Sequence, residues 1–173
     1  MGASELVDVV DAEDRVIGRA TRAEIRAQKL RHRATYILVF NTSGQLFVHQ
    51  RTATKDVYPS YFDVVVGGVV GAGESYDEGA RRELAEELGI TSAAPRPILA
   101  FQYEDGDNRV NGRVYSCSYD GPLALQADEI ASGEWLDLDV VLERTRQAPF
   151  CPDGIEALFR YLDRLASVNT EGR

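Results

Sequence analysis

Apolar residues follow two rhythms along this chain, one of period two and one close to four. Leu6–Val10 and Arg15–Ala20 read as short strands joined by the acidic turn 11–14. Thr21, with Glu24 three residues on, forms a capping box and predicts a helix to about Leu30. Ala34–Asn41 and Gln45–Gln50 are rich in β-branched and aromatic residues, and Thr42-Ser43-Gly44 between them predicts a hairpin. Tyr61–Val66 is a further strand ending in Gly67-Gly68. A second capping box, Ser75 with Glu78, opens a helix that Gly89 closes. Within it Tyr76, Ala80, Leu84 and Leu88 form one apolar stripe. Pro97–Tyr103, Arg109–Tyr119 and Gly133–Leu136 read as strands. Asp137 or Asp139 opens a helix to about Arg146. After the break Pro149–Asp153 comes a last helix, with Ile155, Leu158, Phe159, Leu162 and Leu165 on one face. Strands, an interrupting helix, more strands and closing helices predict an α/β fold, a mixed sheet with helices on both sides.

Composition narrows the function. The 173 residues suit one domain with a real core. The formal charge of −9 argues against a nucleic-acid or anionic-membrane binder, though not against a small anion reached through a divalent cation. The balance is uneven. Residues 1–67 hold nine basic and eight acidic residues, net +1; residues 68–90 hold two and six, net −4; residues 91–173 hold eight and fourteen, net −6. Seven cations, Arg15, Arg19, Arg22, Arg26, Lys29, Arg31 and Arg33, lie in nineteen residues. They make either a solvated helix face or a surface for phosphate or a partner subunit. No signal peptide or membrane span is visible, and Cys117 and Cys151 read as free thiols, so a cytoplasmic location is expected.

The segment 68–90 concentrates the acidity. On a helix, Glu83, Glu86 and Glu87 share one face, where like charges repel and raise each other's pKa. Two readings stay open: a solvated face paired to Arg81 and Arg82, or a site for a hard divalent cation such as Mg²⁺ or Mn²⁺.

The spacing of Gly68, Glu74, Arg82, Glu83, Leu84, Glu86, Glu87, Gly89 and Ile90 fits GX5EX7REUXEEXGU, where U is a bulky aliphatic. In this the chain resembles the Nudix hydrolases, with every fixed position filled. The resemblance implies an α/β/α sandwich over residues 31–168, preceded by an appended hairpin and helix (1–30) and followed by a disordered tail (169–173). It implies hydrolysis of a diphosphate linkage in a small nucleotide, with nucleoside di- and triphosphates the leading candidates. It also implies Mg²⁺, or Mn²⁺, held by Glu83, Glu86 and Glu87 with the Gly68 carbonyl as a further ligand. Glu74 and Arg82 would support these groups. Glu83 would take a proton from the attacking water, with Glu86 as rival and Glu104, Asp105, Asp107 and Glu129 as loop alternatives.

The run from Leu6 to Asp63 also looks like a bacterial Nudix branch related to type I isopentenyl diphosphate isomerases. That similarity places His32 as a metal ligand and Arg51 and Lys55 as phosphate ligands. It fails where an isomerase needs Cys-Gly-His, because Val66-Gly67-Gly68 stands there. Hydrolysis is therefore the expected chemistry, with an isomerase or a nucleotide-sensing module as alternatives. His49 reads as a sheet residue and Trp135 as core. Tyr36, Phe62, Phe101, Tyr103 and Tyr115 are candidates for stacking on a base. Oligomeric state is left open; the basic helix of residues 19–33 could meet acidic residues 128–143 of another subunit.

Overall fold

The computed structural model describes residues 2–171. Its elements are β1 (Leu6–Val10), β2 (Val16–Thr21), α1 (Arg22–Gln28), β3 (His32–Phe40), β4 (Leu46–Arg51), β5 (Phe62–Asp63), α2 (Tyr76–Leu88), β6 (Arg96–Glu104), β7 (Arg109–Ser118), β8 (Ile130–Leu136), α3 (Leu138–Arg144) and α4 (Pro152–Glu171). Both capping boxes form as their sequences require: Thr21 and Ser75 accept from the backbone N–H of Glu24 and Glu78, whose carboxylates bond back.

β3 is the axis of the sheet. Along one edge it runs parallel to β7 in register from His32–Val110 to Phe40–Ser118. Its alternation sends Ala34, Tyr36 and Leu38 to the α4 side, and Ile37 and Val39 to the α2 side. The sheet is thus mixed and covered on both faces, an α/β/α sandwich. The apolar stripe of α2 (Tyr76, Ala80, Leu84, Leu88) is fully used in the core.

Three expectations change. The β3–β4 hairpin pairs only at Phe40–Leu46. Beyond that pair the strands splay, since β4 bonds to β8 and β5 instead. The segment after β5 fills the opening, with bridges Ile37–Val66 and Ala34–Val69. On α4 the buried face runs through Gly154, Ala157 and Leu158; Phe159 and Leu165 stay 45% and 44% exposed. Phe159 is one step, about 100°, around the helix from Leu158. The tail expected at 169–173 begins as helix, because α4 continues to Glu171; residues 172 and 173 fall outside the described residues. Among the described residues no helix is long and apolar enough to cross a membrane.

Candidate functional site

The splay between β3 and β4 opens a cleft of about 810 Å³, counted with the open solvent at its mouth. Its walls come from α2, the 63–69 segment, β4 with the loop that follows it, and α1.

Two glycines let the wall form. Gly67 has φ +143, and a Cβ there would sit 2.2 Å from the Thr35 carbonyl oxygen. At Gly68 a Cβ would stand 2.9 Å from Glu83 Oε1, so only glycine leaves that carboxyl its place. The Gly68 carbonyl already accepts the Thr35 N–H at 2.9 Å and the Thr35 hydroxyl at 3.4 Å, so a cation there would displace the longer of the two.

Arg82 organises the acidic wall. Its Nε and Nη2 grip Glu74 at 2.9 and 3.0 Å, a bidentate pair. Nη1 reaches Glu83 Oε1 at 2.8 Å and Glu86 Oε2 at 3.2 Å, and Nη2 also donates to the Val69 carbonyl. Glu83 and Glu87 are buried against each other. Burial pushes both carboxyls up: at Glu83 against the pull of Arg82 and with repulsion from Glu86, at Glu87 against Lys55 and with repulsion from Glu83, to which Glu87 donates a hydrogen bond. Glu86 is half-exposed, its carboxylate turned to Arg82. Among the described residues no three His, Cys, Asp or Glu side chains converge as a ready metal cage. The donors nonetheless fit a hard cation: two buried carboxyls face the cleft, with a third one turn along the same helix.

Opposite stand the cations. Arg51 and Lys55 line the same cleft. Arg51 donates to the Val57 carbonyl at 3.0 Å and lies 3.9 Å from Asp63, and its buried Nε has no hydrogen-bond partner. Lys55 is paired to Glu129. Arg22 and Arg26 of α1 also reach the cleft, which puts part of the basic run at the site.

Several candidates do not reach it. Glu104 pairs with Arg31 and Arg109, Asp105 accepts from Tyr103 and Tyr58, and Asp107 is exposed; of the four loop carboxylates only Glu129 lines the cleft. Of the stacking candidates only Tyr36 does. Its hydroxyl donates to Asp153 at 3.0 Å, and its ring packs edge-on against Phe101. Phe62 packs on Phe150, Tyr103 bonds Asp105, and Tyr115 is buried with its hydroxyl on Asp77. Trp135 meets Phe47 edge-on, as a core residue would. His32 lines the cleft with Nδ1 2.9 Å from the Leu30 carbonyl, and burial lowers its pKa to about 4, so the ring is neutral. His49 is buried in β4 and lowered by burial to about 3.

Sequence reasoning missed Asp63, Asp153, Asn108, Gln126, Tyr58 and Cys151, all of which line the cleft. The available signal was position: Asp63 is an acid inside an otherwise apolar strand, and Asp153 sits at the break that opens α4.

A family model described as the NUDIX domain matches residues 30–156. An uncharacterised Nudix hydrolase of Pseudomonas aeruginosa, PA4841, is 45% identical over 160 residues, covering 92% of this chain and 95% of that protein. Another from Streptomyces coelicolor, SCO1686, is 44% identical, covering 91% of this chain and 88% of that protein. The crystal structure of DR0079 from Deinococcus radiodurans superposes with a TM-score of 0.79 at 29% identity, covering 90% of this chain and 98% of that one. Family model, relatives and fold agree with the acidic wall built on α2: the chain belongs to the Nudix hydrolase family, whose members act on phosphoric anhydrides.

Proposed function

We propose that the chain is a metal-dependent pyrophosphohydrolase of small nucleotides, nucleoside 5′-di- and triphosphates first among them. One observation carries the reading: the cleft sets Glu83, Glu86 and Glu87 against Arg51 and Lys55. Carboxylates alone would repel a diphosphate, and cations alone would bind it without cleaving it.

Glu83, Glu86 and Glu87, with the Gly68 carbonyl, would hold Mg²⁺ or Mn²⁺, which supplies charge neutralisation and an acidified water when bound. Arg51 and Lys55 bind the phosphate oxygens and fix the substrate's register. Arg82, itself gripped by Glu74, holds the glutamates in place. Glu83 then takes the proton of the attacking water. The water oxygen bonds to phosphorus, the bridging P–O bond breaks, and its electron pair leaves with the departing phosphate.

The isomerase reading is weaker, because Val66 holds the cysteine's place. A cysteine does reach the cleft from another element, Cys151, but burial and the neighbouring Asp63 keep its thiol protonated.

The test is a panel of nucleoside di- and triphosphates with Mg²⁺ or Mn²⁺, read by phosphate or diphosphate release between pH 7 and 9. Turnover of at least one member is expected. No turnover of any member removes the reading, and deuterium exchange into isopentenyl diphosphate would replace it with the isomerase.

A further inference from the structure

His32 opens β3 and lines the cleft while only 2% exposed. Its Nδ1 lies 2.9 Å from the Leu30 carbonyl oxygen, which can only accept, so Nδ1 carries the proton of the neutral ring. The lone pair is then on Nε2, and among the described residues nothing donates to it. His32 is a buried acceptor on the cleft wall without a donor.

The pleat sets its neighbours. His32, Ala34 and Tyr36 alternate onto one face of β3, and the small Ala34 leaves a recess that all three line. Asp153 forms another wall. Its Oδ2 accepts from the Tyr36 hydroxyl at 3.0 Å and the Asn108 amide at 3.1 Å, and its Oδ1 from the Gly154 N–H at 3.0 Å. Tyr36 and Tyr58 spend their hydroxyl protons on Asp153 and Asp105. The recess is therefore rich in lone pairs. Asn108 keeps one amide hydrogen, because the other goes to Asp153.

Charge narrows what fits. The guanidinium groups of Arg26 and Arg22 act on His32, which opposes a metal ion or an ammonium group at Nε2 and so the metal role that the isomerase similarity implies. Arg26 is itself held by Asn108 and faced by Asp56 and Asp153. Asp63 and Asp153 oppose a further anion. A neutral group that both donates and accepts suits the recess: a hydroxyl, donating to His32 Nε2 and accepting the remaining Asn108 N–H.

We infer that His32 is a specificity residue, and that the recess between His32 and Asp153 takes a sugar hydroxyl of the group joined to the diphosphate. The inference rests on the hydrolase reading, which puts the diphosphate on Arg51. Arg51 feels Asp63 and Asp153 from the recess and Glu87 from the acidic wall, so it stands between the two. The sugar on the recess side of the diphosphate then enters beside His32.

Titration calorimetry in EDTA, without turnover, compares ATP, 2′-deoxy-ATP, 3′-deoxy-ATP, purine riboside triphosphate (which lacks only the base amine) and inorganic triphosphate. Wild type should bind ATP more tightly than inorganic triphosphate. At least one deoxy form should bind about three- to tenfold more weakly than ATP, the worth of one hydrogen bond. His32→Phe keeps a ring and removes the acceptor. It should bind ATP and that deoxy form equally, with inorganic triphosphate unchanged. His32→Gln, which retains an acceptor, should restore part of the difference. ATP bound no tighter than inorganic triphosphate, equal affinity for ATP and both deoxy forms, or a difference that survives in His32→Phe overturns the inference. So does uniform weakening of every ligand in His32→Phe, inorganic triphosphate included. A loss confined to purine riboside triphosphate overturns it as well, since the recess would then read a base amine. A Mg²⁺-dependent rise in melting temperature that His32→Phe abolishes would make His32 a metal ligand instead. A protein that shows the hydroxyl pattern yet hydrolyses nothing in the nucleotide panel keeps the recess and loses the hydrolase reading; turnover without the pattern does the reverse.

Discussion

A carboxyl group enclosed away from water keeps its proton to higher pH, and burial in β5 raises Asp63 to about 7. Arg51, 3.9 Å away, offsets this only in part. The unfolded chain releases that proton near 4, so between about pH 4 and 7 the folded state binds more protons than the unfolded one. Asp63 therefore supports the fold below pH 4, and that support is lost as pH rises to 7, at up to about 1.4 kcal/mol per unit. Asp63→Asn lacks this dependence. Its melting temperature relative to wild type should climb steadily from pH 4.5 to 7; a constant difference would show that Asp63 ionises normally. A separate outcome concerns the catalytic base. Glu83→Gln should lower turnover by about 10²–10⁴-fold if Glu83 accepts the water's proton, and Glu86→Gln should cost less. The reverse order of the two variants moves the role to Glu86.

α2 was legible in the sequence down to its ends because every signal for it is local. Ser75 and Glu78 cap it, Gly89 ends it in the left-handed region at φ 70, and its stripe is fixed by helical period. The same locality makes its cap testable. Ser75→Ala removes the acceptor for the Glu78 N–H and should lower stability by about 1 kcal/mol, or about 2–4 °C in melting temperature, with KM unchanged. A rise in KM would mean that the cap also positions the cleft. The strands were legible as strands but not as partners. Nothing within 34–50 tells β3 to leave β4 after one pair, since that choice depends on β7, 69 residues beyond β3's last residue when counted to Arg109, and on β8. The cleft is a product of that divergence. The box residues on α2 were therefore readable, whereas Asp63, Asp153 and the α1 arginines were not placed at the site until the long-range pairing was known.

At the level of the whole molecule, charge is sorted rather than merely negative. The basic run is largely engaged within the chain: Arg19 with Asp8, Arg26 with Asp56, Arg31 with Glu104 and Arg33 with Asp14. Glu83 and Glu87 are buried together with raised pKa values, a cost the folded chain carries in the absence of a cation. A divalent ion that binds the folded state and not the unfolded one adds RT ln(1 + [L]/Kd) to stability, about 1.4 kcal/mol at tenfold above Kd. For a chain of this size that is about 3–5 °C. Wild type should melt higher in Mg²⁺ than in EDTA by that margin, more so at pH 8 than at pH 6, where protons compete for the same oxygens. The Glu83→Gln/Glu87→Gln double variant removes the repulsion between them and the two buried carboxyl ligands, leaving Glu86 and the Gly68 carbonyl. It should melt no lower than wild type in EDTA and gain nothing from Mg²⁺. Equal metal gains in both proteins would place the cation away from α2, and the acidic wall would then be a solvated face after all.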